Sequence, residues 1–258
     1  MEYIDIGVNL FSNQFKERED KIVENAKKNN IGIIITGSSL RSSELADQYT
    51  KKNTETYATA GVHPHAAKTC NHNTIDKLEN MILNNKNIVA VGECGLDYDR
   101  MFSTKEEQLY WFEKQIELAE KLNMPLFLHE RCAENDFIEI LKKHRDICKK
   151  SVVHCFTGKK ETALRYLNLG CMIGITGWIC DDKRNKDLLE AIKIIPIERL
   201  MIETDAPYLI PKGIKGIGGT NVPENIIYVS KKISDIKNID ENILKRQLLN
   251  NTKRFFNI

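Results

Sequence analysis

No apolar stretch in this chain is long enough to cross a bilayer. Uninterrupted apolar runs span only a few residues, against the roughly 20 that a membrane helix needs. No basic-then-apolar leader opens it, because Glu2 and Asp5 interrupt the first residues. A cytoplasmic protein without membrane contact is expected. The seven cysteines, at 70, 94, 132, 148, 155, 171 and 180, contain no Cys-x-x-Cys pair and are odd in number. That speaks against a disulfide framework and for reduced thiols. An excess of charge is also missing: 38 basic and 36 acidic residues leave a net +2. Nucleic-acid-binding domains are often strongly basic, so any such binding here must rely on local charge. No Gly-x-Gly-x-x-Gly follows the first β-rich run, which weakens a dinucleotide-binding reading. No composition break, low-complexity linker or short-period repeat divides the chain. One domain over 1–258 is expected, acting as a monomer with no obligate protein partner.

What the chain does contain is a regular alternation. Its 258 residues are 41% apolar and 29% charged, enough for a substantial core. Short β-rich runs lie near 3–8, 31–36, 56–61, 88–91, 125–128, 151–154, 171–175 and 200–203. Helical segments lie near 13–29, 41–52, 72–84, 104–122, 134–145, 159–168 and 184–194, and a final pair near 222–235 and 240–254. The clearest helix runs from Thr104 to Leu122, where Leu109, Phe112, Ile116 and Ala119 form an apolar stripe. Ser103 or Thr104 would cap it. Eight strands alternating with helices require parallel pairing. The count of eight points to an α/β fold of the (β/α)8 TIM-barrel type, with an open doubly wound sheet as the alternative.

Barrel active sites collect at the carboxyl ends of the strands, and here those ends carry chemistry. Strand four ends at Glu93, strand five at His129, strand six at His154 and strand eight at Asp205. Strand one ends at Asn9, and strand three runs into His63-Pro-His65. Four of the six histidines fall in these positions. Two imidazoles and two carboxylates suit a divalent cation: carboxylates favour Mg²⁺ or Mn²⁺, and imidazole adds affinity for Mn²⁺ or Zn²⁺. Such an ion polarises a phosphoryl or carbonyl oxygen and activates water. Glu93, His129, His154 and Asp205 are the candidate ligands. Asp205 is also a candidate base, and Glu93 the second catalytic carboxylate.

The neighbouring residues are candidates for substrate contact. His63 and His65 could bind phosphate or hydrogen-bond the carboxylates. Arg131 suits phosphate by bidentate pairing. Lys159 and Lys160 follow Gly158 at a helix start, and the glycine-rich stretch 211–219 carries Lys212 and Lys215. Tyr98, Phe156, Trp178 and Tyr208 lie just past strand ends, where exposed rings could stack bases. Cys94 and Cys155 each follow a candidate ligand and are read as packing behind it.

Five motifs occur in order: Gly61-Val-His-Pro-His65, Gly92-Glu-Cys-Gly-Leu-Asp-Tyr98, Leu128-His-Glu-Arg131, Val153-His-Cys-Phe-Thr-Gly158 and Glu203-Thr-Asp-Ala-Pro-Tyr-Leu209. Together they closely resemble the TatD family of metal-dependent deoxyribonucleases, from residue 2 to the Asn251–Phe256 tail. The resemblance implies a distorted barrel of the metal-dependent hydrolase type. It also implies hydrolysis of DNA phosphodiester bonds with 3′-to-5′ exonuclease character, with single-stranded ends preferred. By motif, Glu93, His129 and His154 would bind metal, and Asp205 would bind metal and activate water. The chain departs from the commoner family pattern on strand one. Many members carry a His-x-His pair there, and this chain has Gly7 and Asn9, as the namesake TatD branch does. One firm ion site follows, with Mg²⁺ the first expectation and Mn²⁺ or Zn²⁺ the alternatives. A second site would be weak, and Asn9 is assigned to substrate. Two rival readings keep the fold: a hydrolase of a small amide or ester, and a non-enzymatic, metal-stabilised binding protein.

Overall fold

The computed structural model describes residues 1–214 and 216–258; Lys215 of the glycine-rich stretch lies outside them. Eight strands form one sheet in sequence order, β1 to β8. They are β1 (Tyr3–Val8), β2 (Ile31–Ile35), β3 (Tyr57–Ala60), β4 (Ile88–Asp97), β5 (Leu126–Arg131), β6 (Ser151–Val153), β7 (Met172–Ile175) and β8 (Leu200–Ile202). The helices are α1 (Glu19–Lys28), α2 (Leu40–Lys52), α3 (Thr74–Asn84), α4 (Lys105–Leu122), α5 (Glu134–Lys143), α6 (Arg145–Cys148), α7 (Lys160–Leu169), α8 (Lys186–Ile194), α9 (Ile226–Lys237) and α10 (Glu241–Phe256). This is the strand order of a (β/α)8 TIM-type fold. Among the described residues no helix is long and apolar enough to cross a membrane.

The chain divides into two compact units. The first comprises Met1–Ile34, Cys155–Leu167 and Met172–Ile258. Within it β7 pairs with β8 in parallel, and Val8 bridges Ala206. Asn251 of α10 donates to the carbonyls of Ile197 and Leu200 at 2.7 and 2.8 Å, tying the tail motif to the start of β8. α1 begins at Glu19, later than the periodicity suggests. Residues 9–18 instead form successive turns, Ser12 N–H to Asn9 O and Phe15 N–H to Ser12 O, which bury Phe15 completely.

The second unit comprises Ile35–His154 and Asn168–Cys171, and in it β3, β4, β5 and β6 pair in parallel succession. α4 is capped as expected: Thr104 accepts from Glu107 N–H, and the Glu107 side chain accepts from Thr104 N–H. Phe112, Ile116 and Ala119 are buried, and Phe112 stacks on Phe137 with centroids 5.3 Å apart. Two buried polar residues share the core-facing side of α4. Gln115 pairs with both backbone groups of Val62, at 2.7 and 3.0 Å. Gln108 pairs with both backbone groups of Asp97, at 2.8 and 3.0 Å. Each glutamine thereby satisfies both backbone groups of a residue at or just past a strand end.

Candidate metal centre and the strand-eight carboxylate

The cluster in the second unit begins with a distortion of β4. Gly92 pairs with Phe127 and the next register partner is Cys94 with Leu128, so Glu93 is an extra residue in the ladder. Its N–H turns to Gly37 O at 2.8 Å. Such a bulge re-aims a side chain. The flanking glycines make it possible: Gly92 and Gly95 have φ of +139° and +145°, and a Cβ on them would meet Phe127 O at 2.2 Å and His129 O at 1.8 Å. Cys94 is buried, as its packing role requires.

Three imidazoles converge on one oxygen of Glu93. Its Oε1 lies 2.8 Å from His154 Nε2, 3.1 Å from His129 Nδ1 and 3.4 Å from His63 Nε2. The ring nitrogens His129 Nδ1 and His154 Nε2 are themselves 3.4 Å apart. One ligand atom from each of His63, Glu93 and His129 lies within 4.8 Å of the others, a grouping that could hold a metal ion. A single carboxylate oxygen cannot serve three ring nitrogens equally. A cation accepting the lone pairs of His129 Nδ1 and His154 Nε2 beside the Glu93 carboxylate would relieve the crowding, so these donors fit a divalent ion. His129 Nε2 is buried without a hydrogen bond, 3.4 Å from Asp97 Oδ2.

Hydrogen bonding separates His63 from the other two. His63 Nδ1 accepts the N–H of His65 at 3.0 Å. Burial, the largest cause, lowers its pKa to about 3 despite the charge of Glu93, so the ring is neutral. With Nδ1 accepting, Nε2 carries the proton and acts as a donor rather than a ligand. That sets His63 apart from His129 and His154 within the cluster.

Charge in the cluster follows the same contacts. Burial raises the pKa of Glu93, but His63, His154 and His129 outweigh it and hold the carboxyl well below the usual range. Burial works against a charged His129, yet the neighbouring carboxylates of Asp97 and Glu93 raise its pKa. Asp97 is held low in spite of burial, by His129, His65 and the N–H of Arg100. Asp97 was not among the residues singled out from sequence. Its Oδ2 sits 2.7 Å from His65 Nε2, so it positions both His65 and His129. His65 thus joins the cluster through Asp97. Arg131 is half-exposed and paired with Asp99 at 3.0 Å.

Asp205 and Asn9 belong to the first unit. Asp205 adopts φ +54° just past β8. Its Oδ1 accepts from Asn9 Nδ2 at 2.8 Å, and Asn9 N–H donates to Ala206 O at 2.8 Å. Beneath them lies fully buried Asp5, which accepts the N–H groups of Gly7 at 3.2 Å and Thr204 at 2.9 Å. Its other oxygen is 2.5 Å from Thr204 Oγ1. Burial pushes the pKa of Asp5 up to about 8, against those hydrogen bonds. Asn221 then ties Thr204 O to Tyr208 O.

Of the aromatic candidates, Phe156 is buried and Tyr208 is exposed. Trp178 lies under the Arg184 guanidinium at 4.0 Å, and Tyr98 donates to Asp136 at 2.9 Å. α7 opens at Lys160, so Lys159 and Lys160 do stand at a helix start.

The family model described as TatD related DNase matches residues 4–257. The chain belongs to that family. Among TatD relatives, the 3′-5′ ssDNA/RNA exonuclease TatD of Escherichia coli is 38% identical over 257 residues, covering 98% of each chain. The crystal structure of a TatD homologue from Escherichia coli superposes with a TM-score of 0.92 at 26% identity, over 100% of this chain and 98% of that one. A TatD-family hydrolase from Entamoeba histolytica gives 0.88 at 30% identity, over 98% and 97%. The resemblance drawn from the five motifs is therefore correct, and so is the fold class it implied.

Proposed function

We propose that the protein is a divalent-cation-dependent nuclease that shortens single-stranded DNA or RNA from its 3′ end. Membership of the TatD family supports this, as do the relatives named 3′-5′ ssDNA/RNA exonucleases. The observation that carries it is the convergence of His129, His154 and His63 on Glu93 Oε1. Glu93, His129 and His154 are the ligands. A cation held there would polarise a phosphoryl oxygen and lower the pKa of a nearby water. His63 offers its Nε2–H to a phosphoryl oxygen while its Nδ1 stays anchored to the backbone. Asp97 keeps His65 and His129 in place. Asp205 is the base that takes the proton of the attacking water. That assignment rests on its place after β8, where such folds gather catalytic groups, and on the hydrogen bond by which Asn9 orients it. A second, weaker ion would draw on Asp205. Arg131 and Asn9 are each assigned to contact with the substrate. Two imidazoles beside one carboxylate move the preferred ion from Mg²⁺ toward Mn²⁺ or Zn²⁺.

The test is cleavage of 5′-labelled single-stranded DNA and RNA by chelator-treated protein restored with Mg²⁺, Mn²⁺ or Zn²⁺. Stepwise shortening from the 3′ end that stops with chelator is expected. Hydrolysis of small amides or esters, with oligonucleotides untouched under every ion, would replace the nuclease reading with the amidohydrolase one.

A further inference from the structure

We propose that Met101 and Phe102, in the loop between β4 and α4, form a stacking subsite for one nucleobase of the single-stranded substrate. The inference rests on the nuclease reading and adds to it a place where the strand is gripped. Both side chains are large, apolar and exposed, at 45% and 52%. They do not hang on a loose connection. Asp97 Oδ1 accepts the N–H groups of Asp99 and Arg100 at 3.0 and 3.1 Å. Gln108 holds the two ends of the loop together through Asp97 O and Ser103 O, both at 3.0 Å. Ser103 Oγ donates to His65 O at 3.2 Å and accepts from Lys68 N–H at 3.0 Å. A loop braced at both ends thus holds two apolar groups out in water, an arrangement that marks a binding surface.

The position of the ring identifies the occupant. Phe102 meets His65 edge-on, with centroids 4.8 Å apart and planes at 82°. His65 touches His63 at 4.3 Å, and His63 lies 3.4 Å from Glu93. The ring is therefore two imidazoles away from the carboxylate where the phosphodiester would be cut. Tyr98 N–H donates to Arg131 O at 2.9 Å, and the Arg131 guanidinium pairs with Asp99 of the same loop. The loop thus carries an aromatic ring and, through Asp99, holds a guanidinium, the two kinds of group that a base and its phosphate would use. Two side chains cover about one base and fall far short of the roughly 1,000 Å² of a stable protein interface. Phe102 has no hydrogen-bonding group, so it would grip any base without reading its edge. Sequence reasoning passed over Phe102 because it follows a turn rather than a strand end.

The experiment measures KM for short single-stranded oligonucleotides, intact or with one abasic nucleotide placed at successive positions near the 3′ end. Stacking on an aromatic ring is worth about 5- to 150-fold in affinity. Wild type should show a KM about 10-fold higher when one particular base is missing. Phe102→Ala should lose that penalty, and Phe102→Trp should restore it. An equal penalty in Phe102→Ala and wild type, or no penalty at any position in wild type, would overturn the subsite and leave the nuclease reading standing. A sedimentation coefficient that changes in Phe102→Ala while the abasic penalty persists would assign the patch to a second copy of the chain. Failure of wild type to cut any oligonucleotide would overturn the nuclease reading itself, and the subsite with it.

Discussion

Glu93 and Asp5 are both buried carboxylates on strands, and their surroundings drive them to opposite protonation states. Glu93 faces His63, His129 and His154 and is held ionised. Asp5 faces backbone N–H groups and the Thr204 hydroxyl, and burial lifts its pKa to about 8. A carboxylate among imidazoles is arranged to keep its charge and to share ligands. A carboxylate among neutral donors is arranged as a hydrogen-bonding brace. It holds Thr204, next to Asp205, in one conformation. In the protonated form it can donate to Thr204 Oγ1, which also accepts Ala206 N–H at 3.1 Å. Burial alone, then, does not mark a catalytic acid. What the acid faces does.

Substitutions can break this contrast at graded cost. Glu93→Gln keeps the shape and removes the charge that the ligand set is built around, so nuclease activity should vanish with the fold retained by circular dichroism. Substantial activity in that variant would remove Glu93 from the centre. Asp205→Asn should lower kcat by about 10²- to 10⁴-fold, the range for losing a general base; a change in KM alone would make Asp205 a binding residue. Asp97→Asn leaves His65 and His129 without their anchor. It should weaken ion affinity by about 10- to 100-fold, as second-layer losses at metal sites do, read by competition with a fluorescent chelator.

The smallest effect concerns Asp5 and is seen in stability rather than catalysis. Its folded pKa of about 8 lies above its ordinary value of 3.8. Between those two values the folded state binds a proton that the unfolded state has released. Stability should therefore fall as pH rises through that window, by up to about 1.4 kcal/mol per pH unit. Asp5→Asn offers an acceptor for Gly7 and Thr204 and a donor for Thr204 Oγ1. Urea unfolding should show the variant close to wild type near pH 5 and more stable near pH 8. The same pH slope in both proteins would contradict the raised pKa.

Much of this arrangement is legible in the sequence, because apolar runs end abruptly in acids and histidines. Glu93, His129 and His154 stand where such runs stop, and the structure gathers them within hydrogen-bonding distance. Asp97 escaped because β4 runs on to it, beyond the apolar residues that define the strand by pattern. Its glycine-flanked bulge replaces alternation as the rule for which way side chains point. For His63 the sequence offered phosphate binding or a hydrogen bond to a carboxylate; which ring nitrogen is free to donate is decided by a backbone N–H on its Nδ1, a contact two residues along the chain that composition does not reveal. Asp5 carried a usable signal, a single acid inside an apolar strand without a basic neighbour. Only burial and the Thr204 contacts show it to be a brace.

The most direct measurement is a calorimetric titration of Mn²⁺ into chelator-treated wild type, Glu93→Gln and Asp205→Asn. One tight site should be present in wild type, retained in Asp205→Asn and absent in Glu93→Gln. A tight site that survives in Glu93→Gln, or that disappears in Asp205→Asn alone, would contradict the assignment of the metal centre to Glu93, His129 and His154.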